Sequence, residues 1–210
     1  NSSIIHSEDS TKLFTQLLAT LCTRKKFIWQ LHTNYEVIKS YLFKRLFYNF
    51  IKWEQVTLLA DSYAAVEANI NELMNQSHLF QINSPGIEVE NFSGNYFNKK
   101  KLREKYGIKS TDILFGSTGR LHKSKGYEIS INCINELINK KGIKCKLLIA
   151  GEGPLRSNLI QLINQLELNN NVILLGMVFN IENFLCSLDY YIQSSRSEGF
   201  PVATIEALAA

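Results

Sequence analysis

The chain has 210 residues, of which 45% are hydrophobic and 20% charged, with a net charge of +4. That is an ordinary globular composition, long enough for one large or two small domains, and no apolar run approaches the ~20 residues that span a bilayer. The mild positive charge suits a phosphorylated ligand or an anionic membrane surface, and without a basic–aromatic platform it argues against nucleic-acid binding.

No secretory leader is visible, and the chain starts at Asn1, so part of its N-terminus is expected to be missing. Residues 11–22 predict an amphipathic helix, and Phe27 to Leu31 a strand ending at His32. Residues 36–54 predict a long helix rich in aromatic and basic side chains, among them Tyr41, Phe43, Phe47, Trp53, Lys39, Lys44, Arg45 and Lys52. Its broad apolar face, over 38–54, fits either an anionic membrane or the first sheet. A strand at 56–60 leads to Asp61-Ser62, an N-cap for a helix over 63–74. A short strand at 79–82 precedes the turn Asn83-Ser84-Pro85-Gly86, and residues 90–105 read as a polar, lysine-rich linker followed by a short helix. The domain boundary is therefore placed near residue 90, with domains over 1–90 and 91–210.

From residue 112 onward, strands alternate with helices. Strands are expected at 112–117, 144–150, 171–175 and 189–193, and helices over 126–140, 155–168, 181–187 and from Pro201. This pattern predicts an α/β fold with parallel sheets covered on both faces, where ligands bind beyond the carboxyl ends of the strands. The cysteines, Cys22, Cys133, Cys145 and Cys186, form no C-x-x-C pair, and most sit in apolar segments that read as buried thiols in a reducing cytosol.

Three loops at strand ends carry chemistry. Arg120 and Lys125 follow the first strand of the second domain; a planar fork of donors and a mobile point charge both suit a diphosphate, although a solvated basic turn would look the same. The segment from Ser195 to Ala209 holds two carboxylates, Glu198 in a Gly-containing turn and Glu206 inside a helix. With Pro201 at the first helical position, the amides of Val202, Ala203 and Thr204 are expected to stand unpaired at a helix N-terminus, where an anion binds. Glu206 lies among apolar neighbours, which predicts a specific partner for its carboxylate. Gly151 and Gly153 are expected to shape a tight turn.

Together these segments resemble the retaining glycosyltransferases of family four, the glycosyl transferases group 1, which have the GT-B fold. The resemblance rests on Gly119-Arg120-Leu121 with Lys125-Gly126, on Leu148 to Pro154, on Val172 to Gly176 and on Ser195 to Ala209, in that order. Upstream, His32 and Pro85-Gly86-Ile87-Glu88 with Phe92 fit the same order. It implies two Rossmann-like domains, both truncated here: an acceptor-side domain and a nucleotide-sugar-binding domain. It implies transfer of a hexose-type sugar from a nucleoside diphosphate sugar to a hydroxyl of a saccharide or lipid-linked acceptor, in cell-surface polysaccharide or glycolipid synthesis. Glu198 and His32 would then be the catalytic-site residues, with Glu198 on the sugar hydroxyls and His32 near the sugar. Gly199 and Phe200 would present amides to the sugar, and Glu206 would hold the ribose. Arg120 and Lys125, with the amides of Val202, Ala203 and Thr204, would bind the diphosphate. Met177 and Val178 would lie near the base, or equally in the core; for Phe200, plain core is the equal alternative to its contact with the sugar. No Asp-x-Asp pair is present, so no metal and no cofactor are expected. The implied location is cytoplasmic, peripheral to the inner face of the membrane. A non-catalytic nucleotide-sugar-binding subunit and a GT-B epimerase are the alternatives.

Overall fold

The run Cys145–Ala150 is apolar at every position but one because it becomes a strand covered on both faces. Cys145, Leu147 and Ile149 enter one cluster, while Leu148 and Ala150 enter the other. The exception, Lys146, directs its ammonium to the Tyr106 carbonyl at 2.7 Å. In this computed structural model the described residues are 4–7, 20, 22–23, 25–31, 56–68, 80–92 and 96–210. Among them the elements are β1 (Ile4–Ser7), β2 (Lys26–Leu31), β3 (Val56–Ala60), α1 (Tyr63–Ala68), β4 (Phe80–Ile82), α2 (Tyr96–Lys105), β5 (Ile113–Thr118), α3 (Tyr127–Asn139), β6 (Cys145–Ala150), α4 (Arg156–Gln165), β7 (Val172–Gly176), α5 (Ile181–Leu185), β8 (Tyr190–Tyr191) and α6 (Val202–Ala209).

The chain divides into two compact units, Asn1–Gly86 with Glu198–Phe200, and Ile87–Ser197 with Pro201–Ala210. The first holds a four-stranded parallel sheet in the order β1-β2-β3-β4. Its strand β1 carries too short an apolar signal, Ile4-Ile5, to be predicted. The cap of α1 falls to Ser62, whose hydroxyl accepts from the Ala65 amide at 3.1 Å, while Asp61 accepts from the Gln30 amide group at 2.9 Å. His32 and the helix expected over 36–54 lie outside the described residues, as does the helix over 11–22 apart from Thr20 and Cys22.

The second unit holds a parallel sheet in the order β7-β6-β5-β8. The chain steps outward from β5 to β6 to β7, then returns to pair β8 on the other side of β5. The strand order therefore reverses at β5, and a crevice is expected beyond the carboxyl ends of β5 and β8. On one face Tyr127, Ile131 and Ile134 of α3 and Leu159 and Ile163 of α4 are buried at helical spacing. On the other face α5, with Phe184 and Leu185, packs with Phe92, Ile108 and Leu114. The expected strand at 189–193 is reduced to Tyr190–Tyr191, although the Asp189 and Ile192 amides still donate to the Leu114 and Gly116 carbonyls of β5 at 2.9 and 2.8 Å; past them, the Ser194 hydroxyl turns to the Lys125 carbonyl. Only Cys145 of the four cysteines is buried; Cys22 and Cys133 are exposed, contrary to expectation. Cys133 follows the buried Ile131 by two positions, which carries it off the buried stripe of α3.

Asp189, just before β8, ties α2 to this sheet. Its carboxylate accepts from the Leu114 amide at 2.8 Å, Lys99 at 2.9 Å and Arg103 at 3.0 Å. Arg103 also donates to the carbonyls of Lys109 and Asp112. Burial raises the Asp189 carboxyl, but the Leu114 amide and then the two cations outweigh it and hold it below its ordinary range. A depressed carboxyl contributes stability that is present above its unfolded-state value and lost as the pH falls through the folded one. Asp189→Ala is expected to lower stability at pH 7 by about 1–3 kcal/mol, read from thermal unfolding. The gap to the parent protein should narrow below about pH 4.

Candidate functional site

The site begins where two strand-end loops touch through bare backbone. Past β5 the chain turns at Gly119 and Arg120, then buries Leu121 completely. Past β6 it runs Gly151-Glu152-Gly153, and hydrogen bonds stitch the loops together: Gly119 N to the Ala150 carbonyl at 3.0 Å, and Leu121 N to the Glu152 carbonyl at 2.9 Å. A Cβ at Gly151 would fall 1.9 Å from the Gly119 carbonyl oxygen, and one at Gly153 would fall 2.6 Å from that of Leu121. Neither backbone could yield without moving the Arg120 turn, so both glycines serve this close approach.

The basic turn follows as a single 3-10 turn, Lys123–Lys125. His122 caps it, its Nδ1 accepting from the Ser124 amide at 3.4 Å, and Gly126 ends it with φ of +60°. A Cβ on Gly119 would lie 3.6 Å from Lys125 Cε, so the lysine stem runs beside the Gly119 turn.

Beyond these strand ends lies an open cleft of about 640 Å³ within the second unit. It is bounded by Thr118, Gly119 and Arg120 after β5, Gly151 and Glu152 after β6, Met177 and Val178 after β7, and Val202, Ala203 and Glu206 of α6. The three α6 residues share one helical face, since positions three and four apart align. Six of the residues singled out from sequence thus meet in one place: Arg120, Met177, Val178, Val202, Ala203 and Glu206. Met177 is 68% exposed, so a core role for it is excluded, whereas Val178 both lines the cleft and packs on the α5 cluster.

Other expected residues fall elsewhere. Pro201 is the N-cap of α6, not its first helical residue, because its ψ of 73° is not helical. Its carbonyl accepts from the Thr204 amide at 2.9 Å, so that amide is not unpaired; only Val202 and Ala203 precede the helix's own ladder. The Thr204 hydroxyl oxygen is buried with no hydrogen-bond partner among the described residues. Thr204 and Lys125 do not line the cleft. Glu198, Gly199 and Phe200 belong to the first unit. Phe200 is half-buried and Glu198 likewise.

The Glu206 carboxyl is raised above its ordinary range, first by burial and then by the neighbouring Glu182 carboxylate of α5. Glu152 is a cleft carboxylate that no sequence signal marks beyond its place in a Gly-Glu-Gly turn; Arg156 pairs with it at 3.1 Å. Neither Glu152 nor Glu182 was among the expected site residues. The cleft therefore offers an exposed guanidinium, two amides at a helix start and a partly buried carboxylate. That set can bind a phosphate at one end and a diol at the other.

The family model for glycosyl transferases group 1 matches residues 98–210. An uncharacterized glycosyltransferase of Methanocaldococcus jannaschii is 28% identical over 193 residues, covering 88% of this chain and 46% of the relative. The alpha-monoglucosyldiacylglycerol synthase of Streptococcus pneumoniae is 28% identical over 154 residues, covering 72% of this chain and 33% of that enzyme. The crystal structure of Anabaena HepE in complex with UDP-glucose superposes with a TM-score of 0.82 at 20% identity, over 99% of this chain and 57% of HepE. The chain thus spans half or less of the length of these curated relatives. Its parallel-sheet α/β architecture is that of the GT-B glycosyltransferases. With more than half of its length matched by the family model, the chain belongs to the glycosyl transferases group 1 family.

Proposed function

We propose that the protein is a retaining, metal-independent hexosyltransferase of glycosyltransferase family four. It moves a sugar from a nucleoside diphosphate sugar to a hydroxyl acceptor in cell-surface polysaccharide or glycolipid synthesis. The observation that carries this reading is the cleft in which Arg120 meets the amides of Val202 and Ala203 and the carboxylate of Glu206. The relative named for glucosyl transfer to diacylglycerol supports a lipid-linked acceptor.

The chemistry follows from where charge develops. As the glycosidic bond breaks, the leaving diphosphate gains negative charge, and Arg120, Lys125 and the two helix-end amides stabilise it without a metal. Glu206 accepts hydrogen bonds from the ribose diol. In this reading Glu198, with the amides of Gly199 and Phe200, takes the sugar hydroxyls, and the catalytic role given to His32 rests on the family resemblance alone. Met177 and Val178 face the base. No carboxylate is assigned as a nucleophile on the far face of the sugar. The acceptor therefore attacks from the side of the departing phosphate, which takes its proton, and the anomeric configuration is retained. The enzyme acts on the cytoplasmic side of the membrane, with residues 38–54 resting on an anionic surface.

A thermal-shift panel of UDP-, GDP- and ADP-sugars tests donor binding, since a bound donor raises Tm by mass action; no shift with any of them removes the reading. Glu206→Gln should weaken the bound donor about ten- to a hundredfold by titration calorimetry. Its sign on stability is opposite. A raised carboxyl is penalised when ionised in the folded state, so stability is lost as pH rises through its folded value. At pH 7 the ligand-free Glu206→Gln protein should melt higher than its parent, and the difference should vanish in acid. Arg120→Ala should lower kcat for sugar transfer by about a hundredfold or more. Reversing Lys39, Lys44, Arg45 and Lys52 to Glu should abolish sedimentation with anionic liposomes at low salt; a parent protein that ignores such liposomes removes the membrane contact.

A further inference from the structure

The turn Lys123–Lys125 does not line the cleft itself, but its Lys125 stem runs beside Gly119, which does, and the turn is braced from a segment far away in the chain. After β8 the backbone runs past Ser194 to Arg196 and lies directly against residues 124–126. The Arg196 amide donates to the Ser124 carbonyl at 2.7 Å. The Ser194 hydroxyl donates to the Lys125 carbonyl at 3.0 Å and accepts from the Ser130 hydroxyl at 2.8 Å. Ser130 is 1% exposed and stands 64 residues from Ser194 in sequence. The Arg196 guanidinium pairs with Glu128 in the first turn of α3. A Cβ at Gly126 would meet the Ser194 carbonyl oxygen at 2.3 Å, so the two backbones are in contact there.

We propose that Ser194 is a positioning residue: the chain Ser130–Ser194–Lys125 carbonyl, with Arg196 beside it, fixes the Lys123–Lys125 turn so that Lys125 is held ready for the diphosphate of the nucleotide. This rests on the donor reading above and adds a residue to it that touches no substrate. A lysine on a free turn would lose much of its binding energy in ordering its own backbone; a braced one has that entropy removed before the ligand arrives. Ser130 gives the chain its direction: by donating into Ser194 it keeps the Ser194 proton from turning back, and that proton goes to the Lys125 carbonyl. The brace crosses from the β5 loop to the segment after β8, the two sides of the reversal in strand order.

The test separates phosphate from base. UDP, GDP and ADP are titrated into the parent protein beside uridine, guanosine and adenosine, and the tightest diphosphate and its nucleoside are then measured on Ser194→Ala, Lys125→Ala and the double variant. Ser194→Ala should weaken the diphosphate about tenfold while the nucleoside changes less than about twofold. Lys125→Ala should do the same, and the double variant should lose little more than either, because both act through one cation. Arg196→Ala, whose side chain is largely exposed, provides a second variant expected to fold and to show a smaller loss of the same selectivity. Equal weakening of diphosphate and nucleoside by Ser194→Ala, or additive losses in the double variant, overturns the positioning role while the donor reading stands. Unchanged diphosphate binding by Lys125→Ala overturns the assignment of that lysine, and the inference with it.

Discussion

The second unit depends on one backbone contact. The loop after β6 lies on the loop after β5 with no side chain between them, since a Cβ at Gly151 would sit 1.9 Å from the Gly119 carbonyl oxygen. That contact closes one wall of the cleft and leaves Arg120 exposed above it, while Leu121 next to it is fully buried. The guanidinium is thus carried on a turn whose backbone is hydrogen-bonded on both sides, at Gly119 and Leu121. Preorganised donors of this kind act on developing charge without reorganising first.

The cleft also shows how opposite charges are kept apart. Glu152, in the loop after β6, is answered by Arg156 at the start of α4, at 3.1 Å. Glu206 has no such partner among the described residues, and burial and Glu182 both press its carboxyl toward the neutral form. In the proposed reading, the ribose diol would supply the hydrogen bonds that this carboxylate lacks. Asp189 shows the reverse case: it is buried to a comparable degree, yet one amide and two cations keep it ionised, and it serves the fold.

Much of this was readable in the chain. The alternation of strands and helices from residue 112 follows from period: the fully apolar Leu147–Ala150 run reads as a strand buried on both faces, and Ile131 with Ile134 reads as the buried stripe of a helix. Arg120, Met177, Val178, Val202, Ala203 and Glu206 were marked by their places after strands or inside the last helix, and they share one cleft. Errors arose where local rules compete. Pro201 satisfies both the N-cap and the first helical position by its fixed φ, and only ψ, set by the rest of the chain, separates the two. Thr204 lost its open amide to a tightened first turn, and Cys133 was misread because an apolar segment does not say which side of a helix faces out.

The sequence by itself determined the element types, the chemistry available at each strand end, and hence the family. Those depend on neighbours within a few residues, where periodicity and turn chemistry act. Only the tertiary structure decided that β8 returns beside β5, so that Ser194 meets Lys125 and Arg196 meets Glu128, and that Glu182 lies close enough to raise Glu206. Such pairs are set by strand order and by which faces pack together, and no short-range preference of either partner encodes them.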